Sequence, residues 1–249
     1  MMSSDPIIPM PSSSRPGAPP LTPENLQPRL AELPTVFLQP VAAPSILGLF
    51  GFGAATFIVG ANMAGWFGNA ASNAYIAPYA AIFGGLAQLL AGMWAFKARD
   101  GLATAVHGMW GSFWIAYGIL FTLVAAGTLA APAAKFPALG FWFITLAVIT
   151  WLCMWVSLGE YKAVAWVLGL LALGSSFEAA AFLTGDAGWH IAGGWILVAS
   201  AIVAWYTATA IMAYAMYNKE KWPLGIRPRE KSAPQLAFGF GEPGVKRGQ

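Results

Sequence analysis

Charged residues divide this chain into long apolar stretches that contain none of them. Residues 33–96 include no Asp, Glu, Lys or Arg, and the stretches 101–134, 136–159, 163–177 and 187–218 are equally free of charge. A helix needs about 20 apolar residues to cross the hydrocarbon core of a bilayer. The five stretches therefore provide room for six such helices, because the first is long enough to hold two.

This pattern predicts an all-α, polytopic membrane protein with six transmembrane helices in a bundle. Lipid offers no hydrogen-bond partners, so a spanning segment must be a helix or part of a closed barrel. The apolar stretches lack the period-2 alternation of barrel strands, which leaves the helix. The expected helices are 45–67, 76–96, 102–125, 136–158, 163–184 and 189–217.

Two tails are expected to flank this transmembrane domain, which occupies residues 45–217. The first, 1–44, contains eleven prolines, so it is predicted to form a disordered or loosely extended segment. It lacks a basic start followed by an apolar stretch, so it is not predicted to be a secretory signal. The second, 218–249, is basic. A proline-rich tail could remain solvated, or it could bind a partner that has a groove for proline.

Composition excludes a soluble protein and suggests an orientation. Only 9% of residues are charged, against 58% hydrophobic, whereas soluble domains carry about 25% charged residues.

Basic residues favour cytoplasmic loops, and Lys97, Arg99 and Lys162 fall on the side of both termini, while Lys135 and Asp186 fall on the other. The sequence thus predicts a multi-pass protein of the inner or plasma membrane with both termini cytoplasmic. The net charge of +3 is explained by these loops, and no nucleic-acid partner is expected. The basic residues of the C-terminal segment are Lys219, Lys221, Arg227 and Arg229.

Gln88 is an uncharged polar residue inside the second predicted helix. Its neighbours three and four positions away are Gly84, Gly85, Ala91 and Gly92. Such small residues let another helix or a substrate approach the backbone closely. Two interpretations stay open: Gln88 contacts a substrate, or it holds two helices together within a packing stripe.

Glu178 is the only acidic residue inside a predicted span, at a depth similar to that of His190 and Asp186. A carboxylate in a membrane faces a partner or a watery cavity, so Glu178 and His190 could handle protons. Alternatively, the fifth helix ends early and leaves Glu178 at the interface. His107 shares a helix face with Trp110, but it lies near the opposite membrane face from His190. One metal or haem cannot be bound by both histidines, so no metal and no cofactor are expected.

Four groups of residues resemble the acetate uptake transporter family, typified by the bacterial succinate–acetate permease and its yeast relatives. The family signature Asn-Pro-Ala-Pro-Leu-Gly-Leu is similar to 43–49, in which Pro44, Leu47, Gly48 and Leu49 match and Ala43 and Ile46 differ. The Gly-Phe-Gly that follows it is 51–53. The second helix of the family resembles 83–92, its Tyr-Gly-Ser-Phe-Trp motif resembles 110–114, and its last helix and exit resemble 192–195, 204–206 and 223–225.

This resemblance implies a permease or channel for small monocarboxylates such as acetate, linked to protons, and not an enzyme. The family pathway is narrowed by a Phe, a Tyr and a Leu, which correspond here to Phe52, Trp110 and Leu171. Counting helical rise places these three and Gln88 about 10–18 Å from the cytoplasmic helix ends. The four could therefore form one hydrophobic constriction.

Assembly is also implied by the resemblance, because members of the family form homohexamers. An alternative of a different class is a non-transporting membrane subunit that docks into a larger complex through the proline-rich tail 1–44. The residues themselves contain no catalytic set, which agrees with the absence of an enzymatic role in the family.

Overall fold

Six helices account for most of the described part of the chain. The computed structural model describes residues 42–69, 71–159, 161–217 and 219–225, so most of both predicted tails lies outside the described residues. All six helices are long and apolar enough to cross a membrane, which confirms the predicted all-α, six-span fold. They are α1 (Pro44–Met63), α2 (Ser72–Ala98), α3 (Gly101–Ala125), α4 (Pro137–Ser157), α5 (Lys162–Thr184) and α6 (Ala187–Tyr217).

Local sequence signals explain several helix ends. Proline occupies the first position of α1 and of α4, where its missing N–H costs no hydrogen bond. The turn between α2 and α3 uses Arg99 in the left-handed region (φ 58°). Asp100 then caps α3 by accepting a 2.8 Å hydrogen bond from the backbone N–H of Ala103.

The first two helices differ from the sequence prediction at the loop between them. Helix α1 ends at Met63 rather than at residue 67, because Gly65 adopts a left-handed conformation (φ 77°) that closes the helix. Helix α2 begins at Ser72, four residues before the predicted start. Its residues Ala80–Ala87 are π-helical, and this segment begins two residues after Pro78. The proline removes a hydrogen-bond donor from the helix interior.

Neighbouring helices pack in chain order, and α1 closes the ring against α6. Glycines allow the closest approaches. A Cβ on Gly60 of α1 would lie 3.0 Å from the carbonyl oxygen of Gly194 on α6. Among helices that follow one another in the chain, α3 and α4 have the sparsest contact in the described residues.

Candidate functional site

A vestibule of about 690 Å³ lies at the end of the bundle where α1, α3 and α5 finish and α2, α4 and α6 begin. Its wall is mostly apolar, with Asn62, Asn73, Asp186 and His190 among its polar side chains. The apolar lining includes Val59, Met63, Phe113, Tyr117, Phe121, Trp142 and Phe143. The space is therefore an apolar chamber with a few polar groups, a composition typical of small-molecule sites.

A second, much smaller cavity continues from the vestibule towards the middle of the bundle. The two share the lining residues Val59, Met63, Phe113, Tyr117 and Phe143. The inner cavity measures about 10 Å³. Its remaining lining residues are Thr56, Trp110, Trp114 and Leu197. The open space narrows in this way until it meets the ring of Trp110.

Phe52 and Trp110 meet at this point, edge to face, with ring centroids 6.2 Å apart and planes at 71°. Both side chains are buried. The indole Nε1 of Trp110 donates a 2.9 Å hydrogen bond to Oγ1 of Thr150, which in turn donates to the carbonyl of Leu146 at 2.7 Å. Leu171 is buried in the same apolar cluster as the two rings. Three of the four residues predicted to form a constriction are thus brought into one core.

Gln88 is fully buried on α2, beside His107 of α3. The amide nitrogen of Gln88 lies 3.5 Å from Nδ1 of His107, and the amide oxygen has no hydrogen-bond partner among the described residues. A Cβ on Gly48 would lie 2.5 Å from the imidazole ring of His107. The signature that begins α1 therefore packs directly against the histidine that contacts Gln88.

The small residues around Gln88 do form a packing stripe. A Cβ on Gly92 would lie 2.7 Å from the backbone nitrogen of Gly108, and one on Gly85 would lie 2.8 Å from Cγ1 of Ile115. These contacts bring α2 against α3, as the packing interpretation expects. The unpaired oxygen of Gln88 leaves a contact with a substrate open as well.

Glu178 and His190 form a buried pair at the wall of the vestibule. Nδ1 of His190 lies 2.6 Å from Oε2 of Glu178, and the side chain of Glu178 is fully buried whereas that of His190 is 38% exposed. Helix α5 continues to Thr184, so the interpretation in which it ends early and leaves Glu178 at the interface is wrong. Oε1 of Glu178 has no hydrogen-bond partner among the described residues.

The two histidines belong to different ends of the bundle. His107 lies beside Gly48, near the start of α1, whereas His190 lines the vestibule with Met63, at the end of α1. These two positions on α1 are fifteen residues apart, which corresponds to about 22 Å of helix. Within the signature, Leu49 is buried but Leu47 is 49% exposed, so only part of this motif faces the core.

Two contacts of the site were not predicted from the sequence. Thr150, which fixes the indole of Trp110, lies on a helix with no motif to mark it. Gly193 makes room for Glu178, since a Cβ there would collide with Oε1 of the carboxylate. The run Gly193–Gly194 could have indicated a close approach at this position, but not the residue that approaches.

Comparison with known proteins identifies the family of this chain. The sequence profile of the GPR1/FUN34/yaaH family matches residues 24–222, most of the chain. The chain belongs to this family. The resemblance predicted from the motifs is thereby confirmed, and so is the multi-pass membrane location.

Several members of the GPR1/FUN34/yaaH family can be compared in detail. Ammonia transport outward protein 2 of Saccharomyces cerevisiae is 31% identical over 196 residues, which cover 76% of this chain and 67% of that protein. The succinate–acetate/proton symporter SatP of Escherichia coli is 25% identical over 185 residues, covering 74% of this chain and 96% of SatP. The solved structure of the bacterial acetate channel SatP superposes with a TM-score of 0.69 at 24% identity, over 74% of this chain and 99% of the other.

Proposed function

We propose that this chain is a membrane permease for small monocarboxylates such as acetate, and that its uptake is linked to protons. The observation that carries the proposal is the order of the cavities along the axis of the helix bundle. Beyond a wide vestibule lies a small cavity, and that cavity ends at Trp110, whose ring packs against the buried ring of Phe52.

An apolar constriction of this kind selects by size and by ease of dehydration. A small acid with a short apolar part can pass between aromatic rings, whereas a hydrated ion is excluded. Gln88 lies on α2, which packs against both α1 and α3, the helices that carry the ring pair. Its unpaired amide oxygen could accept a hydrogen bond from a carboxyl group, and its amide nitrogen could donate one. Leu171 completes the proposed constriction.

The names of the relatives support a carboxylate as the substrate. The Escherichia coli relative is named a succinate–acetate/proton symporter, and the solved structure is titled a bacterial acetate channel. Family membership does not favour the alternative of a docking subunit, and the tail 1–44 that such a role would use lies almost entirely outside the described residues.

We further propose that the Glu178–His190 pair supplies the proton link. His190 reaches the vestibule while its partner is fully buried, so a proton can enter at the imidazole and be held against the carboxylate. The other titratable side chains that line the vestibule in the described residues are Tyr117 and Asp186. A proton bound here would meet a substrate before the constriction, and a neutral acid crosses an apolar passage at far lower cost than its anion.

The positive-inside rule places the vestibule on the outer side of the membrane in this proposal. Homohexamers are proposed from the family resemblance, and the small residues on the helices are compatible with close contacts between protomers. Each protomer contains a complete vestibule and ring pair of its own, so transport is expected to proceed within each subunit.

Uptake of radiolabelled acetate into proteoliposomes tests the proposal. Wild-type protein should take up acetate faster than empty liposomes, and an inward proton gradient should increase the rate. Equal uptake by protein-containing and empty liposomes would contradict the permease. Uptake that does not respond to the gradient would contradict the proton link alone.

A further inference from the structure

The chain folds back against its own helices after α6 ends. Residues 219–225, which we call the strap, pack against the first turn of α5. The backbone N–H groups of Lys162 and Ala163 donate hydrogen bonds to the carbonyl oxygens of Gly225 (3.3 Å) and Leu224 (3.1 Å). Helix α5 has no side-chain cap at this end, and the first N–H groups of a helix have no partner within it. The strap therefore caps α5.

Several side-chain contacts fix the strap in this position. Leu224 is 2% exposed and packs in one apolar cluster with Ala210 of α6. Its backbone N–H donates a 2.6 Å hydrogen bond to Oε1 of Glu220. The hydroxyl of Tyr206 on α6 donates a 2.9 Å hydrogen bond to the carbonyl oxygen of Pro223. The strap is thus held by both α5 and α6.

This arrangement gathers exposed lysines from two separate parts of the sequence. Lys219 and Lys221 belong to the strap, Lys162 begins α5, and all three side chains are exposed. A Cβ on Gly225, whose φ of 66° is left-handed, would lie 2.8–3.1 Å from side-chain carbons of Lys162, so the strap lies directly against that side chain. Within the part of the chain that the structure describes, none of the three lysines forms an ion pair. The strap contains one acidic residue, Glu220, so three lysines against one carboxylate leave this surface positively charged.

Exposed aromatic rings accompany the lysines. The ring of Trp222 stacks on that of Tyr206, with centroids 6.1 Å apart and planes at 13°, and the two side chains are 44% and 40% exposed. Trp166 is four residues after Lys162, so the two share a face of α5, and Trp166 is 69% exposed. Tryptophan and tyrosine favour the headgroup level of a bilayer. The rings therefore indicate that the neighbouring lysines lie at the depth of the lipid phosphate groups.

We propose that the strap and Lys162 form a binding surface for the anionic headgroups of phospholipids. A bilayer supplies both features that this surface calls for, because its interface accommodates the aromatic rings and its anionic headgroups attract the lysines. A free anion in solution would use the lysines alone. The surface lies where α5 begins, at the opposite end of the bundle from the vestibule. It therefore goes beyond the proposed permease function and does not depend on it.

Binding of short-chain lipids to the purified full-length protein in neutral detergent tests the proposal, with native mass spectrometry as the measurement. Wild-type protein should bind dioctanoyl phosphatidylglycerol more tightly than dioctanoyl phosphatidylcholine, and added salt should reduce the difference. One lysine near an anionic lipid surface contributes about fivefold in affinity. The single substitutions Lys162→Gln, Lys219→Gln and Lys221→Gln should therefore each weaken phosphatidylglycerol binding by about threefold to fivefold, while phosphatidylcholine binding stays unchanged.

Lys135→Gln is the matched control at the other end of the bundle. Lys135 is also exposed, and it also packs against a left-handed glycine, because a Cβ on Gly185 (φ 81°) would lie 3.1 Å from its Cβ. Gly185 lines the vestibule, so this lysine is remote from the strap. The substitution should leave the binding of both lipids as in wild type.

Leu224→Ser separates an assembled surface from charge alone. It keeps every lysine but removes the buried side chain that anchors the strap, so the preference for phosphatidylglycerol should fall at least as far as in the single lysine variants. The proposal is overturned if the three lysine variants bind phosphatidylglycerol as tightly as wild type does, or if folded Leu224→Ser keeps the full preference. Displacement of the lipid by an equal concentration of inorganic phosphate would also overturn it, because the surface would then bind a free anion rather than a lipid.

Discussion

Trp110 on α3 is tied to Thr150 on α4 by a 2.9 Å hydrogen bond from the indole Nε1 to the hydroxyl oxygen. The bond uses the only polar atom of the indole, so the ring that meets Phe52 presents apolar surface alone. It also fixes the direction in which the ring projects. The hydrogen bond to α4 therefore helps to set how the indole packs against Phe52.

Shrinking either ring of the pair should widen the range of substrates. We expect Trp110→Ala, and less strongly Trp110→Tyr, to extend uptake from acetate towards propionate, butyrate or succinate, because the indole is the largest group at the constriction. Phe52→Ala should act in the same direction, since the two rings meet at 6.2 Å. Competition of unlabelled acids against labelled acetate measures the change. A substrate profile unchanged in both folded alanine variants would contradict the constriction.

Removing the amide of Gln88 should weaken substrate binding without harming assembly. A buried hydrogen bond contributes about 0.5–1.5 kcal/mol, so Gln88→Ala should change the apparent affinity for acetate by a few-fold to about tenfold. The measurement is a concentration series of uptake, together with the oligomer size in detergent. Unchanged uptake would mean that Gln88 serves only the packing of α2 against α3.

Neutralising Glu178 should uncouple transport from the proton gradient. Glu178→Gln keeps the size of the side chain but removes the carboxylate that binds His190. The ratio of acetate uptake with and without an inward proton gradient should therefore fall towards one. Asp186→Asn provides the control, because Asp186 lines the same vestibule but is exposed and caps α6 through a bond to Gly188. Equal ratios in wild type and Glu178→Gln would remove the pair from the proton pathway.

Labelling of single cysteines tests the orientation. In a Cys153→Ser background, cysteines at Asn73 or Asp186, which line the vestibule, should react with an impermeant maleimide in intact cells. Cysteines at Arg99 or Lys219 should react only after the membrane is permeabilised. The reverse pattern would place both termini outside the cell.

Close packing of α1 on α6 should make Gly194 intolerant of any side chain. A Cβ there would lie 2.7 Å from the carbonyl oxygen of Gly60 and collide with the backbone of Ala64. Because backbone cannot rotate away, Gly194→Ala should lower the Tm by several degrees. Gly108→Ala is the matched control, since a Cβ at Gly108 meets nothing within 4 Å; it should leave the Tm unchanged or slightly higher. Equal melting temperatures for Gly194→Ala and Gly108→Ala would contradict the close packing of α1 against α6 at Gly194.

The fold followed from the sequence because the absence of charge over some 20 residues permits little besides a spanning helix. Finer features depended on backbone geometry, which composition does not encode. The left-handed Gly65 ended α1 early, and the π-helical segment after Pro78 had no counterpart in the predicted pattern.

For a related reason, the sequence predicted the depth of the site residues along their helices but not their side-chain contacts. Depth along a helix follows from counting residues, which placed Glu178 and His190 at one level and Phe52 and Trp110 at another. Which side chains touch depends on how each helix is rotated, and apolar helices in lipid show almost no face preference in their sequence. The contacts of Thr150 and Gly193 could not be predicted for that reason.

Few contacts join α3 to α4, and the hydrogen bond from Trp110 to Thr150 is one of them. Thr150 therefore has two effects, because it links two helices that otherwise touch little and it orients the indole that packs against Phe52. A substitution at Thr150 would accordingly change the packing of α4 and the position of the Trp110 ring together.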